Sequence, residues 1–310
     1  MDYKSVEGAD IKHIVSIWNS TIIKDIITEE ILVKNTICDQ NFDSGYFKVA
    51  VDNGTPVGFI IGIKRKYPYM EKGLQEDQAW ILAIAVSQDY QHKGVGYKLL
   101  KDIEAEWKES GVSKIALGTY SPNYFFPGIW DGYDTATKFF IKHGYVKKES
   151  CYWMSRPLAD FQIPEEIVNR KHRKELEGYS FIPFQWNYTY DLINFLKDNF
   201  SVGWRIHVIN AVYGGTAEDT IILCIYKEKV AGYVQRSIDG DPSRFGPFGV
   251  GGEFRDKGLG SVLIHEMWQS MFDRNIYYVF FKSTEQNGRR FYERYGMKVA
   301  RIFCHFEKKQ

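Results

Sequence analysis

Two stretches of the chain agree at one constant spacing. Val86-Ser-Gln-Asp-Tyr-Gln91-His-Lys-Gly94-Val-Gly96 lies over Val250-Gly-Gly-Glu-Phe-Arg255-Asp-Lys-Gly258-Leu-Gly260 without a gap, each pair 164 residues apart. Self-similarity of this kind marks two copies of one unit, and 310 residues suit two domains of ordinary size. The same offset carries Leu99, Ile103 and Trp107 onto Leu263, Met267 and Met271. Both sets form an i, i+4, i+8 apolar stripe, so in each copy the glycines open an amphipathic helix.

The rest of each copy follows the same order. Residues 46–51 and 57–63 flank Asp52-Asn-Gly-Thr-Pro56, and 220–226 and 230–234 flank Lys227-Glu-Lys229, so a hairpin precedes each glycine turn. Ile11, Ile14, Val15, Trp18 and Ile22 make a helical stripe before the first hairpin; Tyr188, Leu192, Phe195 and Leu196 make its counterpart. The run 79–86 is too short to span a bilayer and reads as a buried strand. Downstream, 114–119 and 277–282 read as strands, and 135–142 and 288–294 as short helices closed by Gly144 and Gly296. The first copy carries an insertion around Tyr120-Ser-Pro-Asn-Tyr-Phe-Phe-Pro-Gly-Ile-Trp-Asp131, whose aromatics and prolines predict an ordered flap. Pro164 to Gly178 reads as a linker helix, with its basic cluster Arg170 to Lys174 on a solvated face. The expected division is 1–158, a linker at 159–178, and 179–310.

Composition narrows the function. The 40 Lys and Arg against 39 Asp and Glu leave no global field for nucleic acid or an anionic membrane. No basic-then-apolar leader opens the chain, and its first ten residues are polar, which argues against secretion and for a cytoplasmic location. Cys38, Cys151, Cys224 and Cys304 are dispersed without metal-ligand spacing, so they read as buried free thiols and no metal is expected. With 21 Tyr, 21 Phe and 8 Trp, large cores or an aromatic-lined cleft are expected.

A strand that delivers Gln/Arg-x-x-Gly-x-Gly into a helix N-terminus gathers free backbone N–H groups and the positive end of a helix dipole at one point. Such a point binds phosphate, and the glycines let the backbone approach it closely. Lys93 and Lys257 add charge beside both turns. No G-x-x-x-x-G-K-[ST] loop is present. Neither turn continues as G-x-G-x-x-G, because Leu99 and Leu263 stand where the third glycine would be, which disfavours a nicotinamide dinucleotide.

The pattern resembles the GNAT N-acetyltransferase superfamily, whose fourth strand runs into V-x-x-x-x-[QR]-x-x-G-x-[GA] and cradles the pyrophosphate of acetyl coenzyme A. The resemblance covers nearly all of the chain as two tandem units. It implies an α/β fold with a mixed sheet in each, and acetyl-CoA as co-substrate. The implied coenzyme residues are Ala85, Val86, Gln91, His92, Lys93, Gly94, Val95 and Gly96 in the first copy. In the second they are Phe248, Val250, Arg255, Asp256, Lys257, Gly258, Leu259 and Gly260, with Asn287 near the pantetheine or phosphate end.

The family's terminal helix reads Phe291-Tyr292-Glu-Arg-Tyr-Gly296 in the second copy and Phe139-Phe140-Ile-Lys-His-Gly144 in the first. The resemblance makes Tyr292 the general acid for the departing thiolate; a phenol can donate a proton and the phenyl ring of Phe140 cannot. The expectation is therefore that the C-terminal unit carries out the transfer, with Tyr133, Tyr145 or a flap residue as substitutes in the first. The implied reaction is direct attack of a primary amine on the acetyl thioester in a ternary complex, and a small-molecule acceptor is favoured over a protein amine or a non-catalytic acyl-CoA sensor. Glu76, Asp77, Asp239 and Asp241 read as solvated carboxylates, and no base is assigned.

Overall fold

The computed structural model describes residues 1–310 and divides into two compact units, one of residues 1–151 with 302–310, the other of residues 152–301. These limits differ from the division at 158 and 178 expected above. The strand that follows the terminal helix runs across this division in both repeats, 146–157 from the first unit into the second and 298–309 from the second into the first, an ownership set by long-range pairing that no local sequence signal carries.

The first unit contains β1 (Asp2–Ser5), α1 (Ile11–Thr21), α2 (Glu29–Asn35), β2 (Phe47–Asp52), β3 (Thr55–Lys64), β4 (Gln78–Val86), α3 (Val95–Glu109), β5 (Lys114–Leu117), β6 (Ile129–Trp130), α4 (Asp134–Lys142) and the start of β7 (Val146–Pro157). Strands β1 to β4 form an antiparallel meander. β5 joins β4 in parallel from Gln78↔Lys114 to Ile81↔Leu117, and Glu307 to Lys309 pair antiparallel with β5. The parallel ladder ends there; β4 continues to Val86 beyond it.

The apolar stripes seen in the sequence are the buried faces. Ile14, Trp18, Phe59 and Leu82 pack on one side of this sheet, and Leu99, Ile103, Trp107 and Ile115 on the other. Helix α2 has no long apolar stripe to announce it; Thr28 caps it by accepting from the Ile31 amide at 3.2 Å.

The second unit contains the remainder of β7, then α5 (Glu165–Leu176), β8 (Tyr179–Pro183), α6 (Thr189–Asn199), α7 (Val202–Tyr213), α8 (Ala217–Thr220), β9 (Ile221–Tyr226), β10 (Lys229–Arg236), β11 (Phe245–Val250), α9 (Leu259–Asp273), β12 (Tyr278–Phe281), α10 (Gln286–Glu293) and β13 (Lys298–Lys309), whose residues from 302 onward belong to the first unit. β8 to β11 are antiparallel neighbours in that order, and β12 pairs antiparallel with Met154 to Pro157. Helix α5 forms where the sequence predicts a helix, but it lies within the second unit, packed beside α9 and β8. Its basic face is not simply solvated, because Arg170 donates to Ser261 Oγ at 2.5 Å and Lys171 pairs with Glu266 at 2.9 Å. Of the cysteines, three are buried as expected; Cys38 is exposed, since it follows α2 on a surface turn.

One buried ion pair holds the last strand in the first unit. Glu104, 4% exposed, accepts from Lys308 Nζ at 2.8 Å through both oxygens and from the Tyr145 hydroxyl at 3.0 Å. Removing the carboxylate leaves an ammonium with no counter-charge in a mostly dry site. Glu104→Ala is therefore expected to cost about 3–5 kcal/mol, read as a lowered urea midpoint with unchanged slope.

Candidate active site

The two glycine turns have the same construction. In the first, Gln91 Nε2 donates to the carbonyl of Val86 at 2.9 Å; in the second, Arg255 Nε donates to the carbonyl of Val250 at 3.4 Å. The glutamine or arginine thus latches the loop back onto the strand that delivers it. His92 and Gly94 have φ of 60° and 86°, and Asp256 and Gly258 have 60° and 81°. Two left-handed residues per turn curl successive N–H groups into a concave nest at the mouths of α3 and α9. Gly94 and Gly258 stand at the helix N-caps, where a Cβ would be strained.

What lies behind each turn differs. In the first unit an open cleft of about 1260 Å³ runs from Gln91, His92, Gly94 and Gly96, along Leu82 to Val86, to the end of α1 and the flap. Its far end is walled by Thr21, Ile22, Phe126, Trp130, Tyr133 and Phe303. The flap is ordered, as expected: Ile129 and Trp130 pair with Cys304 and Phe303. Beneath it, Arg65 Nη2 donates to the Ser121 carbonyl at 2.7 Å and Asn123 Nδ2 to Asp39 at 2.6 Å. Phe140 lines the cleft as a buried ring.

In the second unit a pair of rings stands at the matching positions. Phe248, at the position of Ile84, stacks on Phe291 with ring centroids 5.5 Å apart and planes 22° apart. A Cβ on Gly260 would lie 3.0 Å from Phe248 and 3.4 Å from Phe291, whereas one on Gly96 would find its nearest atom at 3.5 Å. At the turn itself, a Cβ on Gly258 would meet Arg170 Cδ at 2.8 Å.

Tyr292 sits within this aromatic group, its ring 4.6 Å from Phe281, 5.3 Å from Phe291 and 6.1 Å from both Phe245 and Phe248. Burial pushes its phenol well above the usual tyrosine range. Asn287 lies in the first turn of α10.

Of the substitutes in the first unit, Tyr145 is buried with its hydroxyl on Glu104 and does not line the cleft, whereas Tyr133 does. The Tyr133 hydroxyl lies 3.3 Å from Asp25 Oδ2 and 3.4 Å from the Lys24 amide. Glu76, Asp77, Asp239 and Asp241 are all exposed, and Asp239 pairs with Arg244. Sequence reasoning singled out neither Asp25 nor Arg170. Asp25 falls between Lys24 and Ile26 in a short loop, and its tyrosine partner is 108 residues away.

A family model for the acetyltransferase (GNAT) family matches residues 17–125 and again 189–297. The chain belongs to this family. It is an acyltransferase built from two GNAT units, and acetyl-CoA is the acyl donor that the family uses. No curated protein matches the chain. Among solved structures, the glucosamine N-acetyltransferase region of a fungal multi-domain GH3 β-N-acetylglucosaminidase is similar, with TM-score 0.82 and 21% identity. The match covers 99% of this chain and only 38% of that one. A GCN5-related N-acetyltransferase from Sphaerobacter thermophilus matches with TM-score 0.70 and 16% identity over 99% and 95% of the two chains. A tandem GNAT protein of the clavulanic acid biosynthesis pathway matches with TM-score 0.64 and 12% identity over 99% and 98%. At these identities the likeness is one of fold. No helix in the chain is long and apolar enough to cross a membrane.

Proposed function

We propose that the chain transfers acetyl from acetyl-CoA to a primary amine of a small molecule, and that its N-terminal unit holds the coenzyme and carries out the transfer. The observation that carries this reading is the cleft of about 1260 Å³ opening at the first glycine turn. It is larger than the roughly 300–1000 Å³ of common small-molecule pockets, as suits a long coenzyme beside an acceptor. The N–H groups at Val95 and Gly96 and the dipole of α3 suit the pyrophosphate, and the apolar β4 wall suits the pantetheine arm. Ala85, Val86, Gln91, His92, Lys93, Gly94, Val95 and Gly96 are the coenzyme residues in this reading.

The second turn keeps the backbone nest, but Arg170 lies against Gly258, held by Ser261, and the Phe248–Phe291 stack stands beside Gly260 where this reading puts the pantetheine arm in the first unit. This favours a non-binding second unit, with Phe248, Val250, Asp256, Leu259 and Asn287 serving packing and capping, and Tyr292 a core ring. The Tyr292/Phe140 difference, which favours the C-terminal unit on sequence, then marks core chemistry and not the site of transfer. Holding thioester and amine together in one cleft supplies much of the acceleration by proximity. The aromatic walls around Phe126, Trp130 and Tyr133 support a compact acceptor over a protein surface. Glucosamine, named for one similar structure, is an amine to try first.

Calorimetric titration tests the placement. Acetyl-CoA is expected to bind at one site per chain, and Gly96→Trp, which fills the cleft, to abolish that binding. Tyr292→Phe is expected to leave turnover within about twofold; a fall of about 100-fold, the size of a lost general acid, would return the chemistry to the second unit.

A further inference from the structure

Resting on the placement of the coenzyme in the N-terminal unit, we propose that Tyr97, Lys138 and Lys142 seat its adenosine 3′-phosphate end, so that the protein separates coenzyme A from the dephospho form. The glycine turn suits the pyrophosphate, from which the coenzyme extends two arms. One is pantetheine, for which β4 offers an apolar wall. The other is a flat base on a sugar that carries a phosphate monoester. Tyr97, Lys138, Lys142 and His143 line the same cleft as Gly94 and Gly96, at the start of α3 and along α4.

This end of the cleft has a surface for each part of that second arm. Tyr97 follows Gly96 in the first turn of α3 and is 47% exposed. Its ring lies 4.9 Å from that of His143 at 32°, and His143 stands edge-on to Phe139 at 4.7 Å and 70°. The three rings bridge α3 and the end of α4, and every nucleobase has a π face that stacks on such a platform. In the second unit the residue matching Tyr97 is Ser261, buried and bonded to Arg170, so the platform belongs to the first unit alone.

Lys138 and Lys142 stand one turn apart on α4, both exposed. Neither is paired with a carboxylate, whereas Lys98 pairs with Asp102, and Lys101 and Lys308 pair with Glu104. Asp134, the one carboxylate lining the cleft, begins α4 and bonds to neither lysine. Like charges at this spacing destabilise a helix, a cost that an anion between them removes. The positive field also reaches His143: burial first, then the charges of Lys142 and Lys101, hold its imidazole below the usual histidine range. A phosphate monoester, with a charge of about −1.5 to −2 at pH 7, matches two lysines acting as point charges.

The test is calorimetric titration of the full chain with coenzyme A and with 3′-dephospho-coenzyme A. Coenzyme A is expected to bind about 30-fold tighter, the size of a hydrogen bond to a charged group. Lys138→Gln/Lys142→Gln is expected to remove that advantage, weakening coenzyme A about 30-fold with the dephospho form unchanged, and to flatten the salt dependence of coenzyme A binding. Tyr97→Ala is expected to weaken both ligands about 10-fold, and Tyr97→Phe to keep native affinity for both. General damage to the fold would not spare one ligand and weaken the other. Equal affinities for the two ligands in the unaltered protein would overturn the proposal, as would unchanged affinities in Tyr97→Ala. Equal losses of both ligands in the lysine variant would place the lysines at the pyrophosphate and overturn it too. Gly96→Trp separates this from the underlying reading. If that variant still binds coenzyme A, or the unaltered protein binds neither ligand, the placement of the coenzyme fails; if Gly96→Trp abolishes binding and the unaltered protein holds both ligands alike, only the 3′-phosphate seat fails.

Discussion

Deleting residues 302–310 is expected to unfold the first unit and abolish acetyl-CoA binding, although the deletion lies far from the first glycine turn in sequence. The segment supplies the antiparallel partner of β5 and of Ile129–Trp130. It also supplies Phe303 and Phe306, at most 1% exposed, together with Lys308 for the buried Glu104. Truncating one buried phenylalanine costs about 3–5 kcal/mol. Losing two, a strand and an ion-pair partner exceeds what a domain with a typical total stability of about 5–15 kcal/mol withstands. Phe303 is moreover part of the cleft wall, so even a surviving fold would have a breached site. The measurement is soluble yield, near-ultraviolet circular dichroism and calorimetric acetyl-CoA binding of the shortened chain. A truncated protein that binds acetyl-CoA with native affinity would show that the strand is dispensable. Supplying residues 298–310 as a peptide is a milder version of the same experiment and should restore part of the binding.

The sequence disclosed what local chemistry determines. The glycine turns follow from Gly94 and Gly258, whose left-handed backbone at a helix N-cap is nearly a glycine prerogative, and the helices behind them follow from a stripe repeated every four residues. Terminal helices ending at Gly144 and Gly296 were legible for the same reason, since both glycines have φ near 85–89°. Helix α7 was not legible, because its apolar residues are spread around it and its buried side includes Arg205 beside Val208 and Ala211. Which unit owns each terminal strand was hidden because 114–116 could pair with either of two similar strands; the choice is a matter of chain topology. The site was half legible. Motif spacing located the turns, whereas the contents of the space behind them depend on side-chain volumes brought together from three elements. The Tyr292/Phe140 contrast draws attention to chemistry at one position, while the side chain standing beside that helix, Ile84 in the first unit and Phe248 in the second, is a matter of volume that no motif reports. Arg170 looked like one member of a solvated basic face, and only the packing of α5 beside α9 brings it to Gly258.

That contrast between Ile84 and Phe248 can be transplanted. In the first unit Ile84 lines the cleft, and Phe139 occupies the place that Phe291 has in the second. Ile84→Phe is expected to set a ring against Phe139, close the passage between β4 and α4, and weaken acetyl-CoA binding about 100-fold, equivalent to about 2.7 kcal/mol. Because the new ring enters existing space and not a packed core, its cost in stability should stay at or below the roughly 1–3 kcal/mol of ordinary overpacking. Loss of binding without loss of fold, read by calorimetry beside a urea titration, is the expected signature; unchanged affinity would mean that the coenzyme does not pass this point. The reciprocal Phe248→Ile should not by itself create a second coenzyme site, since the Arg170 side chain still lies against Gly258. Combining it with Arg170→Ala removes both obstructions while leaving the nest of Asp256 and Gly258 intact. A rise in stoichiometry from one acetyl-CoA to two in that double variant would show that the second unit keeps a latent binding backbone, closed by two side chains and not by any change of fold.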